Sequence, residues 1–184
     1  MTCIVGLIDK GVVYMGGDSC KQLGDFFSLG DPKVLSYSLG NEPCLFGFAG
    51  NVRDMSVIED ILEGYLTKCS SIPNPKQLFA IHLVDKIKQV LHESGTITKD
   101  EEGVESMNTQ LLIGYRGFLY RMLSNFGVST FSDYVAIGTG AEVALGALFT
   151  SSSIPNPEER ILLALKAAEK HIINVRSPFT ILHT

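Results

Sequence analysis

Through the first fifty residues, apolar positions come in short runs broken by turn residues. "TCIVGLI" is β-branched and apolar, "DKG" interrupts it, and "VVYMGG" resumes it. Two such runs around an Asp-Lys-Gly tip predict a β-hairpin. "GGDSCKQLGDFFSLGDP" follows and reads as a glycine-rich loop. "KVLSYS" and "CLFGFAG", separated by the turn residues "LGNEP", predict a second pair of strands.

After Gly50 the period changes. Val52, Met55, Ile58, Ile61, Leu62 and Tyr65 recur at three- and four-residue steps, which predicts an amphipathic helix. A second helix from about Lys76 carries Leu78, Ile81, Leu83, Val84, Ile87, Val90 and Leu91. "SGTITKDEEGVES" is polar, acidic and glycine-containing, so it is expected as an exposed loop. "NTQLLIGYRGFLYRMLS" predicts a further hairpin with Arg116-Gly117 at its tip, and "YVAIG" a short buried strand. "AEVALGALFTS" and "PEERILLALKAAEKHIINV" read as helices and "PFTILH" as a closing strand.

The order is strands, two helices, strands, two helices, strand. Strands that cluster in hairpins make mainly antiparallel sheets. Each sheet must bury one face, which predicts an α+β arrangement of two sheets face to face with a helix pair over each outer face. The segment "SSIPNP" occurs at 70–75 and again at 152–157, each time leading into the second helix of a pair. Asn74 and Asn156 are placed to cap, and Pro75 and Pro157 fall where a helix has no use for an N–H. The flanking sequences do not match, so a shared entry turn is favoured over an internal duplication.

Composition narrows the function classes. The 184 residues suit a single domain over 1–184, with 45% hydrophobic and 19% charged residues. The net charge of −5 and the lack of a basic run argue against a nucleic-acid surface. No apolar run is long enough to span a membrane, and no basic segment precedes the first apolar stretch as in a signal peptide. Cys3, Cys20, Cys44 and Cys69 show no close pairing, which is the pattern of reduced thiols in a cytoplasmic protein. His82, His92, His171 and His183 are scattered, without metal-ligand spacing.

The chemistry of interest is at the start of the chain. Thr2 stands behind Met1, with Asp18 at the end of the second predicted strand and Lys33 at the start of the third. A threonine hydroxyl is a weak nucleophile and must give its proton to a base. If Met1 is removed, the base is the residue's own α-amine, whose reference pKa is about 7.7–8.0. A neighbouring ammonium lowers that value, and a carboxylate holds the ammonium in place. Taken singly, Asp18 is an ordinary turn residue and Lys33 an ordinary solvated lysine. Cys3 becomes a terminal nucleophile only if two residues are cut.

An ordered set of segments decides between these readings: "TCIVGL", "GGDS", "DPKV", "GFAGN", "AIGTGAEVALGAL" and "FTIL". Together they resemble the proteasome β-subunit family, most closely its bacterial heat-shock peptidase branch, HslV. The resemblance implies a four-layer αββα sandwich of the N-terminal-nucleophile hydrolase type. It implies that Thr2 is the nucleophile, with Asp18 and Lys33 beside it. Gly50 in "FAGN" would supply an oxyanion-hole N–H, and Thr139 in "IGTG", where the family usually has Ser, would stand beside the terminal amine. Phe48 and Val52, with Cys20 nearby, would line the substrate pocket and favour an apolar side chain before the cut.

Several departures from the family pattern stand beside this. The loop between Asp18 and Lys33 is one residue shorter than in the peptidase branch. Many proteasome subunits have a supporting Asp late in the chain, where "IINVRSPF" offers Asn174 and Ser177; the peptidase branch lacks that acid too. Asn51, Val52 and Arg53 replace the small residues usual after the glycine.

The implied activity is a threonine-type endopeptidase acting on polypeptides inside a homo-oligomer of stacked rings, with no cofactor. An ATP-driven unfolding ring is the implied partner for folded substrates. The rival reading is a catalytically silent ring subunit with a structural or regulatory role. Lys33→Ala is expected to abolish turnover while leaving melting nearly unchanged.

Overall fold

The computed structural model describes residues 2–23, 26–69 and 71–184. Met1, on which the nucleophile reading depends, lies outside the described residues, as does Ser70, the first residue of the first "SSIPNP" copy.

The chain opens with the expected hairpin, β1 (Ile4–Asp9) and β2 (Val12–Gly17), paired with Ile4 opposite Gly17. The segment expected as a glycine-rich loop instead holds a second hairpin, β3 (Cys20–Leu23) and β4 (Phe26–Leu29). Its base is closed by the Gly30 N–H donating to the Ser19 carbonyl at 2.8 Å. The turn composition hid this ladder, which backbone hydrogen bonds hold together. Then come β5 (Val34–Leu39) and β6 (Glu42–Gly50), the latter starting earlier than "CLFGFAG" because Glu42 and Pro43 join the pairing.

Helix α1 runs over Val52–Cys69, and its buried stripe is Asp54, Ile58, Leu62, Leu66 and Cys69. The expected stripe is therefore rotated: Val52 is 52% exposed, and an aspartate faces inward in its place. The next helical run starts as α2 (Pro75–Gln77), widens into a π-helical stretch (Leu78–Leu83), and continues as α3 (Val84–Ser94). A π turn shifts the helical face. Here Phe79 is buried and Ile81 is exposed, the reverse of what a regular helix through Leu78 and Ile81 would give.

The acidic segment after α3 carries a two-residue ladder, β7 (Thr98–Lys99) with β8 (Glu105–Ser106), where only a loop was expected. The expected hairpin follows as β9 (Thr109–Tyr115) and β10 (Phe118–Met122). β11 (Val128–Phe131) extends it; its half-exposed residues carry little apolar signal. β12 (Tyr134–Ile137), α4 (Ala141–Thr150), α5 (Pro157–His171) and β13 (Thr180–His183) complete the chain. Helix α5 stops at His171, four residues before the end of the apolar pattern. Asn74 and Asn156 both cap as expected, each side chain accepting from the two N–H groups that follow its proline.

These elements form four layers. β12-β1-β2-β13 make one sheet and β11-β10-β9-β6-β5 the other, every neighbouring pair antiparallel. Ile4, Met15, Leu45, Leu112 and Leu119 fill the space between the sheets. Ile58, Leu62, Phe79 and Ile87 close α1 and α3 over the five-stranded sheet. Ile161, Leu165 and Leu148 close α4 and α5 over the four-stranded one. This is the αββα sandwich. Among the described residues no helix is long and apolar enough to cross a membrane.

Candidate active site

The site lies where strand ends from both sheets converge on Thr2. β1 is the inner strand between β2 and β12, so the residues before it emerge between Asp18 at the end of β2 and Gly138-Thr139 at the end of β12. The facing sheet contributes Lys33, just before β5, and Gly50, the last residue of β6.

The Lys33 ammonium donates to Thr2 Oγ1 at 3.0 Å and to Asp18 Oδ1 and Oδ2 at 3.0 and 2.9 Å. Asp18 is 0% exposed and Lys33 8%. The carboxylate is held from the other side as well: Oδ1 accepts from the Cys3 N–H at 2.9 Å and Oδ2 from the Cys20 N–H at 3.0 Å. The cation is thus fixed against the threonine hydroxyl by an anion that is itself fixed by backbone.

This burial revises one expectation. Removing one member of a buried pair strands the other charge and costs roughly 3–5 kcal/mol. Lys33→Ala should therefore lower stability as well as turnover.

The Thr2 nitrogen donates to Thr139 Oγ1 at 3.3 Å, and that hydroxyl donates to the Thr2 carbonyl at 3.3 Å. The Gly140 N–H also reaches the Thr2 carbonyl, at 3.2 Å. Gly138 has φ +88°, and a Cβ there would stand 2.3 Å from the same carbonyl oxygen. Only glycine lets β12 end this close to the nucleophile's backbone.

Gly50 is equally constrained. Its φ is +149°, and a Cβ would meet the Asn108 carbonyl at 2.2 Å. The N–H of Phe48 donates to the Lys33 carbonyl at 3.1 Å, and strand parity sends the Gly50 N–H to the same edge. That edge faces the cavity beside Thr2. Behind Gly50, the Asn51 N–H donates to the Asn108 carbonyl at 2.9 Å. Asp54, 1% exposed, accepts from the Asn108 N–H at 2.9 Å and from Thr109 Oγ1 at 3.3 Å. Sequence reasoning passed over Asp54. The available signal was an acid on the four-residue stripe 54, 58, 62, 66 of an otherwise apolar helix face.

Cys3 is not poised to react. It is buried, and that burial, reinforced by the Asp18 charge, pushes its thiol up to about 12. All four cysteines are free and buried. Of the two residues offered in the stretch that lacks the late acid, Asn174 is buried, and Ser177 is exposed and donates its N–H to Glu169 Oε1 at 2.7 Å. That segment reaches the site through Ser19, whose hydroxyl donates to the Pro178 carbonyl at 2.6 Å.

A cavity of about 290 Å³ opens beside Thr2, and Cys20, Lys33, Phe48, Gly50 and Val52 all line it. Lys21, Asp31, Leu35, Met55 and Glu59, which the sequence reading did not assign to the site, line it too. Thr139 falls in a second cavity of about 570 Å³ on the other side of Thr2, with Asn108, Thr109 and Gln110. Among the described residues no group of three or more His, Cys, Asp or Glu side chains could hold a metal ion.

Comparison with solved structures agrees with this architecture. BPH from Thiobacillus denitrificans, in complex with epoxomicin, is similar over 100% of this chain and 98% of its own, with TM-score 0.78 and 18% identity. HslV from Trypanosoma brucei is similar over 99% of this chain and 98% of its own, with TM-score 0.72 and 18% identity. The chain has the HslV fold. The Anbu complex of Pseudomonas aeruginosa, described as a helical assembly, shares it over 100% of this chain and 81% of its own, at TM-score 0.76 and 13% identity. No protein-family model and no curated protein matches the sequence. The resemblance to proteasome β-subunits of the HslV branch holds at the level of fold.

Proposed function

We propose that the chain is a threonine-type endopeptidase, active once Met1 is removed. The observation that carries this reading is the buried Lys33 ammonium, 3.0 Å from Thr2 Oγ1 and clamped by Asp18. A merely solvated lysine would have no reason to leave water for a threonine hydroxyl.

The chemistry follows from the donors and acceptors. Lys33 donates to Thr2 Oγ1, so the hydroxyl proton is directed elsewhere. With Met1 gone, the free Thr2 amine accepts it, and Oγ1 attacks the peptide carbonyl. The Gly50 N–H faces the oxyanion that forms, a donor typically worth roughly 3–4 kcal/mol of barrier. The leaving amine takes the proton held by the Thr2 nitrogen, leaving an ester on Oγ1. Water, activated by the same nitrogen, then releases the product. Thr139, already hydrogen-bonded to that nitrogen, orients it throughout.

With Met1 in place the Thr2 nitrogen is an amide and cannot take a proton. Two preparations differing only in Met1 are compared by intact mass and by cleavage of a broad fluorogenic peptide set. The trimmed form is expected to cleave, and the Met1 form to match a Thr2→Ala control. A trimmed form no better than Thr2→Ala would make the chain a silent subunit.

A site at a chain start needs enclosure if it is not to cleave indiscriminately. The exposed Phe149, Leu163 and Ile173 offer the α4–α5 layer an apolar contact surface. The assembly proposed is a closed homo-oligomer of stacked rings, two hexamers. Electron microscopy and sedimentation test it; a helical assembly, as described for Pseudomonas aeruginosa Anbu, or a monomer at micromolar concentration would overturn it.

A further inference from the structure

The cavity beside Thr2 carries a charge pattern that an apolar-specific pocket would not. Four formally charged side chains line it: Lys21, Asp31, Lys33 and Glu59. Lys33 is neutralised by Asp18 at 2.9 Å, and Lys21 by Asp31 at 2.8 Å. Glu59 remains. Among the described residues no ion pair includes it. Both cations are already engaged, so the cavity presents one uncompensated carboxylate.

The position of that carboxylate is set by the helix. Val52, Met55, Ser56 and Glu59 all face the cavity from α1, the i, i+3, i+4, i+7 stripe of one helix face. Val52 stands two residues after Gly50. Glu59 is seven residues on, about 10 Å further along the axis. Along α1 a side chain entering from the scissile bond passes Val52 and Met55 before it reaches the acid, with Phe48 and Leu35 in the same lining. Lysine and arginine have this shape: an apolar stem and a charged tip.

We propose that this cavity receives a lysine or arginine side chain of the polypeptide substrate, the one preceding the cut, with its cationic head at Glu59. The assignment rests on the peptidase reading for the location of the cut. It replaces the apolar preference expected from Phe48 and Val52 alone. An apolar side chain would cover the Glu59 carboxylate without giving it a partner, which is costly. An acidic side chain would place a second unpaired anion beside Glu59.

The test uses the Met1-trimmed protein and peptides that differ only in the residue before the cut: Arg, Lys, Leu or Glu. kcat/KM for Arg and Lys should exceed that for Leu at least tenfold, with Glu lowest. Glu59→Gln should reduce the Arg-to-Leu ratio at least tenfold, and Glu59→Lys should move the preference toward Glu. Cleavage of the Leu peptide with no basic preference, or a ratio unmoved by Glu59→Gln, overturns the pocket assignment and leaves the peptidase reading standing.

If no peptide is cleaved above the Thr2→Ala control, the peptidase reading fails. The pocket is then judged by calorimetry on the Thr2→Ala protein with peptides ending in Arg or Leu. Tighter Arg binding that Glu59→Gln removes supports the pocket; equal binding of the two overturns it.

Discussion

Two cavities flank Thr2, and they are built differently. The one against α1 is lined by Lys21, Asp31, Lys33 and Glu59, with Asp18 directly behind. The one on the β12 side is lined by Ser106, Asn108, Thr109, Gln110, Ser124 and Thr139, none of which carries a formal charge. The first can hold a cation against the nucleophile and select a side chain by charge. The second offers hydroxyls and amides, groups that suit a peptide backbone and distinguish poorly between side chains. On the reading proposed here, selectivity and hydroxyl activation come from the charged side, and tolerance from the neutral one.

The comparison is broken most severely at Lys33. Lys33→Met removes the ammonium that donates to Thr2 Oγ1 and strands Asp18 at 0% exposure. Turnover is expected to fall by three orders of magnitude or more for every peptide, since hydroxyl activation precedes any selection. The Cys3 and Cys20 N–H groups still hold Asp18, so the stability loss should sit near the lower end for a buried pair, about 3 kcal/mol. For a chain this size that is roughly 6–12 °C in melting midpoint. Lys33→Arg should not restore turnover, because a planar guanidinium cannot reproduce a point donor between hydroxyl and carboxylate. A Lys33→Met protein that kept most of its activity would reduce the lysine to a structural ion.

A smaller effect tests the neutral side. Asp54 touches neither cavity but holds Asn108 and Thr109, against which Gly50 is packed. It is a positioning residue. Asp54→Ala removes the acceptor of the Asn108 N–H and of the buried Thr109 hydroxyl, a loss of about 1–3 kcal/mol in stability. It also frees the end of β6 to shift. kcat should fall about tenfold for all peptides alike, with KM little changed, and Asp54→Asn should recover most of it because the amide oxygen still accepts. A loss falling on KM, or no rescue by Asn, would show that Asp54 does not act through Gly50.

Much of this was legible in the sequence, for reasons that particular residues make plain. Runs with a clear period declared their elements: the β1–β2 hairpin, α1, and β9–β10 with its Arg116-Gly117 tip. Thr2, Asp18, Lys33, Gly50 and Thr139, which the fold brings together, were singled out through an ordered set of motifs rather than through any one of them. Ladders held by backbone bonds stayed hidden, because β3–β4 and β7–β8 carry turn-like composition. The π-helical stretch at Leu78–Leu83 stayed hidden because its shifted face shows only in which of Phe79 and Ile81 is buried. Asp54 and Glu59 were missed for a shared reason. Each is one acid on a helix, and its meaning depends on what segments distant in sequence bring opposite it.

The smallest effect sharpens the comparison by pH. Glu59 is half-buried, and that burial raises its carboxyl above the ordinary glutamate value. The Lys21 charge opposes the rise, while the Asp31 charge adds to it. Two neighbouring groups are shifted away from this range. The hydrogen bond from Lys21 holds Asp31 below the usual carboxylate range, and burial pushes the nearby Tyr37 up to about 12.

Only ionised Glu59 can pair with an incoming cation. The preference for Arg over Leu is therefore fully present above the Glu59 pKa and is lost as pH falls through it. Because that pKa is raised, the loss begins at a higher pH than an ordinary glutamate would give. Dividing the Arg rate by the Leu rate at each pH removes the titration of the Thr2 amine, which both substrates share. The ratio is expected to fall several-fold toward mildly acidic pH in the parent protein and to stay flat in Glu59→Gln. A ratio that falls equally in both proteins would assign the pH dependence to another group and remove Glu59 from selection.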